Sequence, residues 1–341
     1  MYSIDGIIFS LQNHGGISVY FSELLKLLTE ENEEHRLLIE SSIRPINLSQ
    51  LPTKYIDSRQ ARWAERYRSC RLDKPTTVFH SSYYRKSNRA NIPTVMTVYD
   101  FVYERYIGGV KRYVHSIQKN SAIRSAQSVI CISQATKDDL LHYVGEIPGQ
   151  SVHVIHCGVS KVFRPLELEP PKKPYMLFVG QRGGYKNFRL AVAALELLPD
   201  MEMVCVGGGS LQRTELDGSS SKTHERIRHA GYVDNEGLNR LYNQAACLVY
   251  PSSYEGFGIP VIEAMRAGCP VVSLNCDAVV EVGKDALTIA EEHDAKAVAD
   301  SVNKTRSSAR GQIISRGFEI SSQYSWQEAH RQTLEVYRSL S

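Results

Sequence analysis

No window of the 341-residue chain approaches the roughly 18 consecutive apolar residues of a membrane span. The start, MYSIDG, has neither a basic n-region nor a long apolar stretch. These absences argue against an integral membrane protein and against a secretory leader. The expectation is a cytoplasmic protein, at most peripheral at the inner membrane. Zinc spacing is absent too: the seven cysteines (Cys70, Cys131, Cys157, Cys205, Cys247, Cys269 and Cys276) include no Cys-x2-Cys and fall mostly inside apolar runs. They read as buried thiols of a reducing compartment. No acidic cluster with metal-ligand spacing, no solenoid repeat and no low-complexity tract occurs. Strong charge of one sign is lacking as well, since a net +3 is too mild to imply a nucleic-acid partner.

What the chain does have is a regular alternation of short apolar runs with helical patterns. The runs are TTVFH (76–80), TVMTVY (94–99), SVICIS (128–133), VHVIH (152–156), YMLFVG (175–180), MVCVG (203–207), CLVYP (247–251) and PVVSL (270–274). Unbroken hydrophobicity, as opposed to alternation, suits strands covered on both faces, so the pattern predicts parallel sheets in α/β layers. A length of 341 residues fits two domains. The Pro-rich, mixed-charge stretch FRPLELEPPKKP (163–174) reads as their linker. The expected boundaries are 1–164, completed by 324–341, for the first domain and 165–323 for the second. The completing piece, SWQEAHRQTLEVYRSL, sets Trp326, Ala329, Thr333, Tyr337 and Leu340 on one face of a terminal helix that would pack back on the first domain.

Three stretches carry chemistry. In PSSYEGFGIPVIEAMRAGCPVV (251–272), Pro260 suits the first turn of a helix and Gly268 the left-handed position after its last turn. The loop SSYEGFG then leads into a helix over Val261–Ala267. Glycines 256 and 258 allow close backbone approach, and the helix N-terminus favours an anion. Glu263, expected in the first turn, would take two ribose hydroxyls, and Glu255 would reach a second polyol. Two carboxylates, one phosphate site and two sugars describe a sugar nucleotide. In QRGGYK, Arg182 and Lys186 follow a strand at the end where open α/β sheets bind ligands, placed to neutralise a leaving diphosphate without a metal ion. Gly15-Gly16 forms a similar junction before the helical repeat Ile17, Tyr20, Leu24, Leu25 and Leu28.

Gly15-Gly16, Gly180, Arg182, Lys186, GYVDNEGLNRLYNQA (231–245) and above all Glu-Gly-Phe-Gly-Ile-Pro with a second Glu eight residues on resemble the retaining family 4 glycosyltransferases. FHSSYYRKS, TVYDFVYERY and ICISQATKDDL are similar to bacterial members that build O-antigen and other surface polysaccharides, mannosyltransferases among them. The resemblance implies the GT-B fold, two Rossmann-like α/β domains facing across a cleft. It also implies metal-independent transfer of a hexose from GDP-mannose or a UDP-sugar to a glycan or polyprenyl-diphosphate-linked acceptor in lipopolysaccharide biosynthesis. Carried over by position, Arg182 and Lys186 hold the diphosphate and Glu263 the ribose. Glu255, with the backbone N–H groups of Gly256 and Phe257, meets the transferred sugar, and Tyr254 and Gly258 belong to the same donor site. Tyr232 and Val233 border the base, and Gly15 and Gly16 lie near the phosphate and acceptor. Where the family has His-Asp, this chain has Tyr99-Asp100. A phenol cannot become an imidazolium, so Tyr99 either hydrogen-bonds the sugar or acceptor or packs the interior, and Asp100 is left with Arg182, Lys186 and Glu255 as a catalytic candidate.

Two other classes stay open on sequence. VCVGGGSLQR (204–213) resembles a dinucleotide fingerprint whose third glycine falls on Gln212, the mark of an oxidoreductase if genuine. A sugar-nucleotide binder without turnover is the other. Finally, residues 44–89 hold eleven Lys or Arg against three acids, interleaved with Tyr55, Trp63 and Tyr67. Such a segment is either a solvated face or a contact for anionic lipid.

Overall fold

The computed structural model describes residues 1–12, 15–40 and 52–341. The chain divides into two compact units, 1–158 with 326–341, and 159–325. The division falls at 158/159 and not at 164/165, because the Pro-rich stretch is bonded to the second unit. The Arg164 and Leu166 N–H groups donate to Asn239 Oδ1 (3.1 Å) and Asn243 Oδ1 (2.7 Å), and Gln244 Nε2 donates to the Glu169 carbonyl (3.0 Å). All seven cysteines are buried free thiols. No helix among the described residues is long and apolar enough to cross a membrane.

The first unit is built on β1 (Tyr2–Asp5), β2 (His35–Ile39), β3 (Ile56–Ser58), β4 (Val78–Ser81), β5 (Thr94–Val98), β6 (Ser128–Cys131) and β7 (Ser151–Val154). The second has β8 (Tyr175–Val179), β9 (Glu202–Val206), β10 (Ile227–His229), β11 (Cys247–Tyr250), β12 (Val271–Ser273) and β13 (Leu287–Ile289). Every pairing within these sheets is parallel, in the orders β3-β2-β1-β4-β5-β6-β7 and β10-β9-β8-β11-β12-β13. In both sheets the strand order therefore reverses beside the first strand, at β1/β4 and at β8/β11. In an open α/β sheet these are the points where a crevice forms beyond the strand ends.

The eight apolar runs all become strands, and five strands among the described residues had no signal. β3, β10 and β13 are three-residue edge strands, too short for a pattern. β1 is central yet looks polar, because Ser3 and Asp5 are buried inside it.

At the first unit's crossover the crevice is occupied by protein. Arg85, fully buried after β4, donates from Nη1 to Asp5 Oδ1 (3.2 Å) and Glu40 Oε2 (2.5 Å), and from Nη2 to Glu40 Oε1 (3.1 Å) and Glu65 Oε1 (3.0 Å). Asp5, Glu40 and Cys70 lie close enough together to resemble a metal cluster, but the cation among them is this guanidinium. Burial raises the Asp5 carboxyl to about 6, whereas hydrogen bonds from Arg62 hold Glu65 down at about 2.

Several cations of the basic segment are engaged within the protein. Arg59 pairs with Asp57 and Asp73, Arg62 with Glu65, and Arg85 with three carboxylates, while Arg66 lies over the rings of Tyr67 and Tyr83. Arg44, at its start, lies outside the described residues.

The terminal helix, Trp326–Ser339, belongs to the first unit and buries Trp326, Ala329, Thr333 and Tyr337. The Tyr337 hydroxyl and His80 Nδ1 are 2.5 Å apart, and His80 Nε2 lies 2.8 Å from Thr97 Oγ1. Burial pushes the His80 imidazole down to about 3, so it bridges the two hydroxyls as a neutral ring.

Candidate active site

In the second unit the carboxyl ends of β8 and β11 each lead into a loop, and backbone and side-chain bonds tie the loops together. Ser253 N–H donates to the Tyr185 carbonyl (2.8 Å). Asn187, in the left-handed region at φ +50°, donates from Nδ2 to the Pro251 carbonyl (2.8 Å) and Ser253 Oγ (2.6 Å). Asn tolerates that conformation better than most residues, which is why it can end the turn Gly184–Lys186 here. The result is that Lys186, from the β8 loop, donates from Nζ to Glu255 Oε1, from the β11 loop, at 2.5 Å. Their side chains are 14% and 10% exposed. Tyr250 OH sits 3.5 Å from the same ammonium, and burial keeps that phenol neutral. Two residues assigned separately from sequence, one to phosphate and one to sugar, thus form one ion pair at the β8/β11 crossover.

The glycine loop behaves as its residues require. Gly258 has φ +104°, a conformation L side chains rarely adopt, and delivers the chain into the helix Ile259–Arg266 with Pro260 in its first turn. Gly268 closes that helix at φ +79°. Tyr254 and Phe257 are buried, edge-on to Tyr185 (6.4 Å) and Tyr324 (5.9 Å). Glu263 is the fifth residue of the helix and so lies beyond the first turn where it was expected. Its Oε2 accepts a hydrogen bond from Tyr242 OH (3.1 Å). Although the residue keeps some exposed surface, the surrounding protein removes enough water to raise the carboxyl to about 7.

Arg182 departs from expectation. Its guanidinium is buried in the loop after β9, donating to the carbonyls of Gly207 (2.6 Å), Gly208 (3.1 Å), Gly209 (2.8 Å) and Ser210 (3.0 Å), and from Nε to Glu215 Oε1 (3.1 Å). The three glycines have φ between +73° and +83°, and a Cβ on Gly208 would stand 2.8 Å from Arg182 Nη1. The glycine run that suggested a dinucleotide fingerprint is therefore a cage for an arginine.

Val233 is half-buried and Tyr232 exposed, just before Asp234 caps the helix Asn235–Gln244 through Oδ1 to the Gly237 N–H (2.8 Å). In the first unit, Gly15 is extended (φ 176°) immediately before the helix Gly16–Glu30, and a Cβ there would strike the Gln12 side chain. Of the two readings of Tyr99, the structure shows packing: its ring is buried at 6.0 Å from Tyr20, and burial holds its hydroxyl neutral. Asp100 shapes the turn beyond β5: Oδ1 accepts from the Val102 N–H (3.0 Å), and its carbonyl accepts from buried Lys119 Nζ (2.6 Å). Sequence reasoning missed Asn187, Tyr242 and Tyr250. Only Asn187 had a local signal, as a residue tolerant of the left-handed region following a glycine loop.

The model for "Glycosyl transferases group 1" matches residues 160–312, and that for "Glycosyltransferase Family 4" matches residues 14–161. The chain belongs to the group 1/family 4 glycosyltransferases. Its curated relatives include the O-antigen chain mannosyltransferase B of Escherichia coli, 35% identical over 65% of this chain and 63% of that protein. Glycogen synthase of Mycobacterium tuberculosis is 26% identical over 72% and 63%. The match thus spans under two thirds of these relatives' length. The fold of this family 4 chain is GT-B. Sucrose-phosphate synthase from Thermosynechococcus elongatus aligns with TM-score 0.80 at 18% identity, over 99% of this chain and 98% of that one. Anabaena HepE in complex with UDP-glucose aligns with TM-score 0.73 at 14% identity, over 99% and 100%.

Proposed function

We propose that the protein is a retaining, metal-independent hexosyltransferase that moves mannose or a related sugar from a nucleotide diphosphate sugar to a glycan or polyprenyl-diphosphate-linked acceptor. Its place would be in surface polysaccharide biosynthesis. The observation that carries the reading is the Lys186–Glu255 pair at the β8/β11 crossover, beside the N-terminus of the helix bearing Glu263. Mannose is favoured by the O-antigen chain mannosyltransferase relative, and a UDP-sugar by the neighbour holding UDP-glucose.

The pair suits the two ends of one donor. Lys186 Nζ exchanges its carboxylate for a diphosphate oxygen, and Glu255 accepts hydrogen bonds from the transferred sugar. Ionised Glu263 takes the ribose hydroxyls. The acceptor oxygen bonds to the anomeric carbon on the face the diphosphate leaves, the carbon–oxygen bond to phosphate breaks, and a phosphate oxygen takes the acceptor proton. No protein nucleophile is needed, and the protein contributes positioning and charge stabilisation. Arg182 acts behind this site by holding the loop 207–210.

Native mass spectrometry and thermal shift with GDP, UDP, GDP-mannose, UDP-glucose and NAD test the reading. A guanosine or uridine diphosphate should bind and NAD should not. Release of nucleoside diphosphate in EDTA, with a product of unchanged anomeric configuration by NMR, is the expected reaction. Binding without any turnover across acceptors would favour a non-catalytic binder, and NAD binding would favour the oxidoreductase.

A further inference from the structure

Each of the two site carboxylates has a buried phenol beside it. Tyr242, on the helix Asn235–Gln244, has no exposed surface and donates from its hydroxyl to Glu263 Oε2 (3.1 Å). Among the described residues this is the one hydrogen bond that the Glu263 carboxylate receives. Tyr250, the last residue of β11, is buried too, and its oxygen accepts from Lys186 Nζ at 3.5 Å. The hydroxyl hydrogen is then left for Glu255, whose carboxylate lies close enough to add to burial in pushing the phenol up. A buried tyrosine hydroxyl ordinarily has a partner, and both of these find theirs in the site.

These contacts differ from the Lys186–Glu255 pair in one respect. The pair opens in the proposed reaction, because Lys186 Nζ exchanges its carboxylate for a diphosphate oxygen. The ammonium stays guided as it moves, since it lies over the rings of Tyr185 and Tyr250, 5.3 Å from each centroid. Glu255 would lose its donor at that moment if the Tyr250 hydroxyl were not there. A phenol kept neutral by burial retains its proton and goes on donating. Glu263 has no cation to lose. The hydrogen bond from Tyr242 favours its ionised form, against the burial that raises it to about 7. Cys269 also faces Tyr242, and burial keeps that thiol neutral.

We propose that Tyr242 and Tyr250 are positioning residues of the donor site: Tyr250 holds Glu255 toward the transferred sugar once Lys186 has turned to the phosphate, and Tyr242 holds Glu263 toward the ribose. The inference rests on the transferase reading and separates its two carboxylates by step. Tyr250 acts through Glu255 in turnover, and Tyr242 acts through Glu263 in nucleotide binding.

Phenylalanine at either position keeps the ring and removes the hydroxyl. With GDP-mannose or UDP-glucose, whichever the wild type turns over, Tyr250→Phe should lower kcat about tenfold and leave KM within about twofold. Tyr242→Phe should raise KM for the same donor about tenfold near pH 7, with kcat within about twofold. That defect should shrink at pH 9, where Glu263 is ionised even without the hydrogen bond. Carbon-13 NMR of the glutamate-labelled, ligand-free protein gives a readout that needs no donor. The Glu263 signal, assigned by its absence in Glu263→Gln, should titrate at higher pH in Tyr242→Phe than in wild type. Wild-type kcat in Tyr250→Phe, or a Tyr242→Phe defect that persists at pH 9, would overturn the proposal. An unmoved Glu263 midpoint in a protein that turns over sugar nucleotide would overturn it while leaving the transferase reading intact. A wild type that neither binds GDP or UDP nor turns over either sugar nucleotide refutes that reading, and both roles fall with it.

Discussion

Glu263→Gln should make the ligand-free protein more stable and a poorer binder of nucleotide. Burial raises the Glu263 carboxyl from 4.5 to about 7. A folded-state value above the unfolded one means the native state holds its proton more tightly, so stability falls as pH rises from 4.5 to 7 and stays lower above. At about 1.4 kcal/mol per pH unit the full displacement amounts to about 3 kcal/mol. Because the residue keeps some exposed surface, we expect roughly 1–2 kcal/mol of that to be recovered by substitution. The Gln carbonyl can still accept from Tyr242, so the change removes charge and keeps the hydrogen bond. For a unit of this size the gain corresponds to about 2–8 °C in melting temperature.

Differential scanning fluorimetry from pH 4.5 to 8.5 should show no difference at the acid end, where wild type is also neutral, and the full difference above pH 7. Nucleotide binding should run the other way. If ribose hydroxyls donate to the ionised carboxylate, wild-type affinity for the cognate nucleoside diphosphate falls about tenfold from pH 8 to pH 6. The Gln variant should bind weakly at both. A variant that melts at or below wild type at pH 8, or a difference that does not change with pH, would refute the reasoning.

Lys186→Ala and Glu255→Gln should each slow turnover on the order of 10²-fold to 10³-fold, and the double variant little more than the worse single one, because the two groups act through one contact. Near-native turnover in either single variant removes the pair from the mechanism. Gly208→Ala, which puts a Cβ against the Arg182 guanidinium, should cost more in urea denaturation than Gly209→Ala. The latter is strained by its φ of +74° but has open space around it, for about 1–2 kcal/mol. Equal losses would argue against the cage. Arg85→Met should destabilise the first unit by about 3–5 kcal/mol near pH 7.5. The loss should shrink at pH 5, where Asp5, raised to about 6, is mostly protonated. A loss independent of pH would mean that the buried carboxylates are not its source.

Much of this was legible in the chain. Runs such as YMLFV and CLVY declare themselves because a strand covered on both faces must be apolar at every position. Gly258, Pro260 and Gly268 mark their helix because each answers a local backbone demand. β1 escaped notice for the opposite reason: its buried Asp5 is tolerable only because Arg85, eighty residues away in sequence, satisfies it.

The sequence by itself determined the parallel α/β architecture, the glycine loop with its helix, and the identity of Lys186, Glu255 and Glu263 as residues of interest. These depend on side-chain polarity and backbone freedom, which are read over a few neighbouring residues. Only the tertiary structure decided how charges meet. Lys186 finds Glu255 across the β8/β11 crossover, Arg182 turns into the glycines of the β9 loop, and Tyr99 is drawn into the interior. In the basic segment, Arg59, Arg62 and Arg85 are taken up in ion pairs. A charged side chain reaches several ångströms and is stabilised by whichever opposite charge or carbonyl the fold brings within that distance, and linear spacing carries no record of that choice.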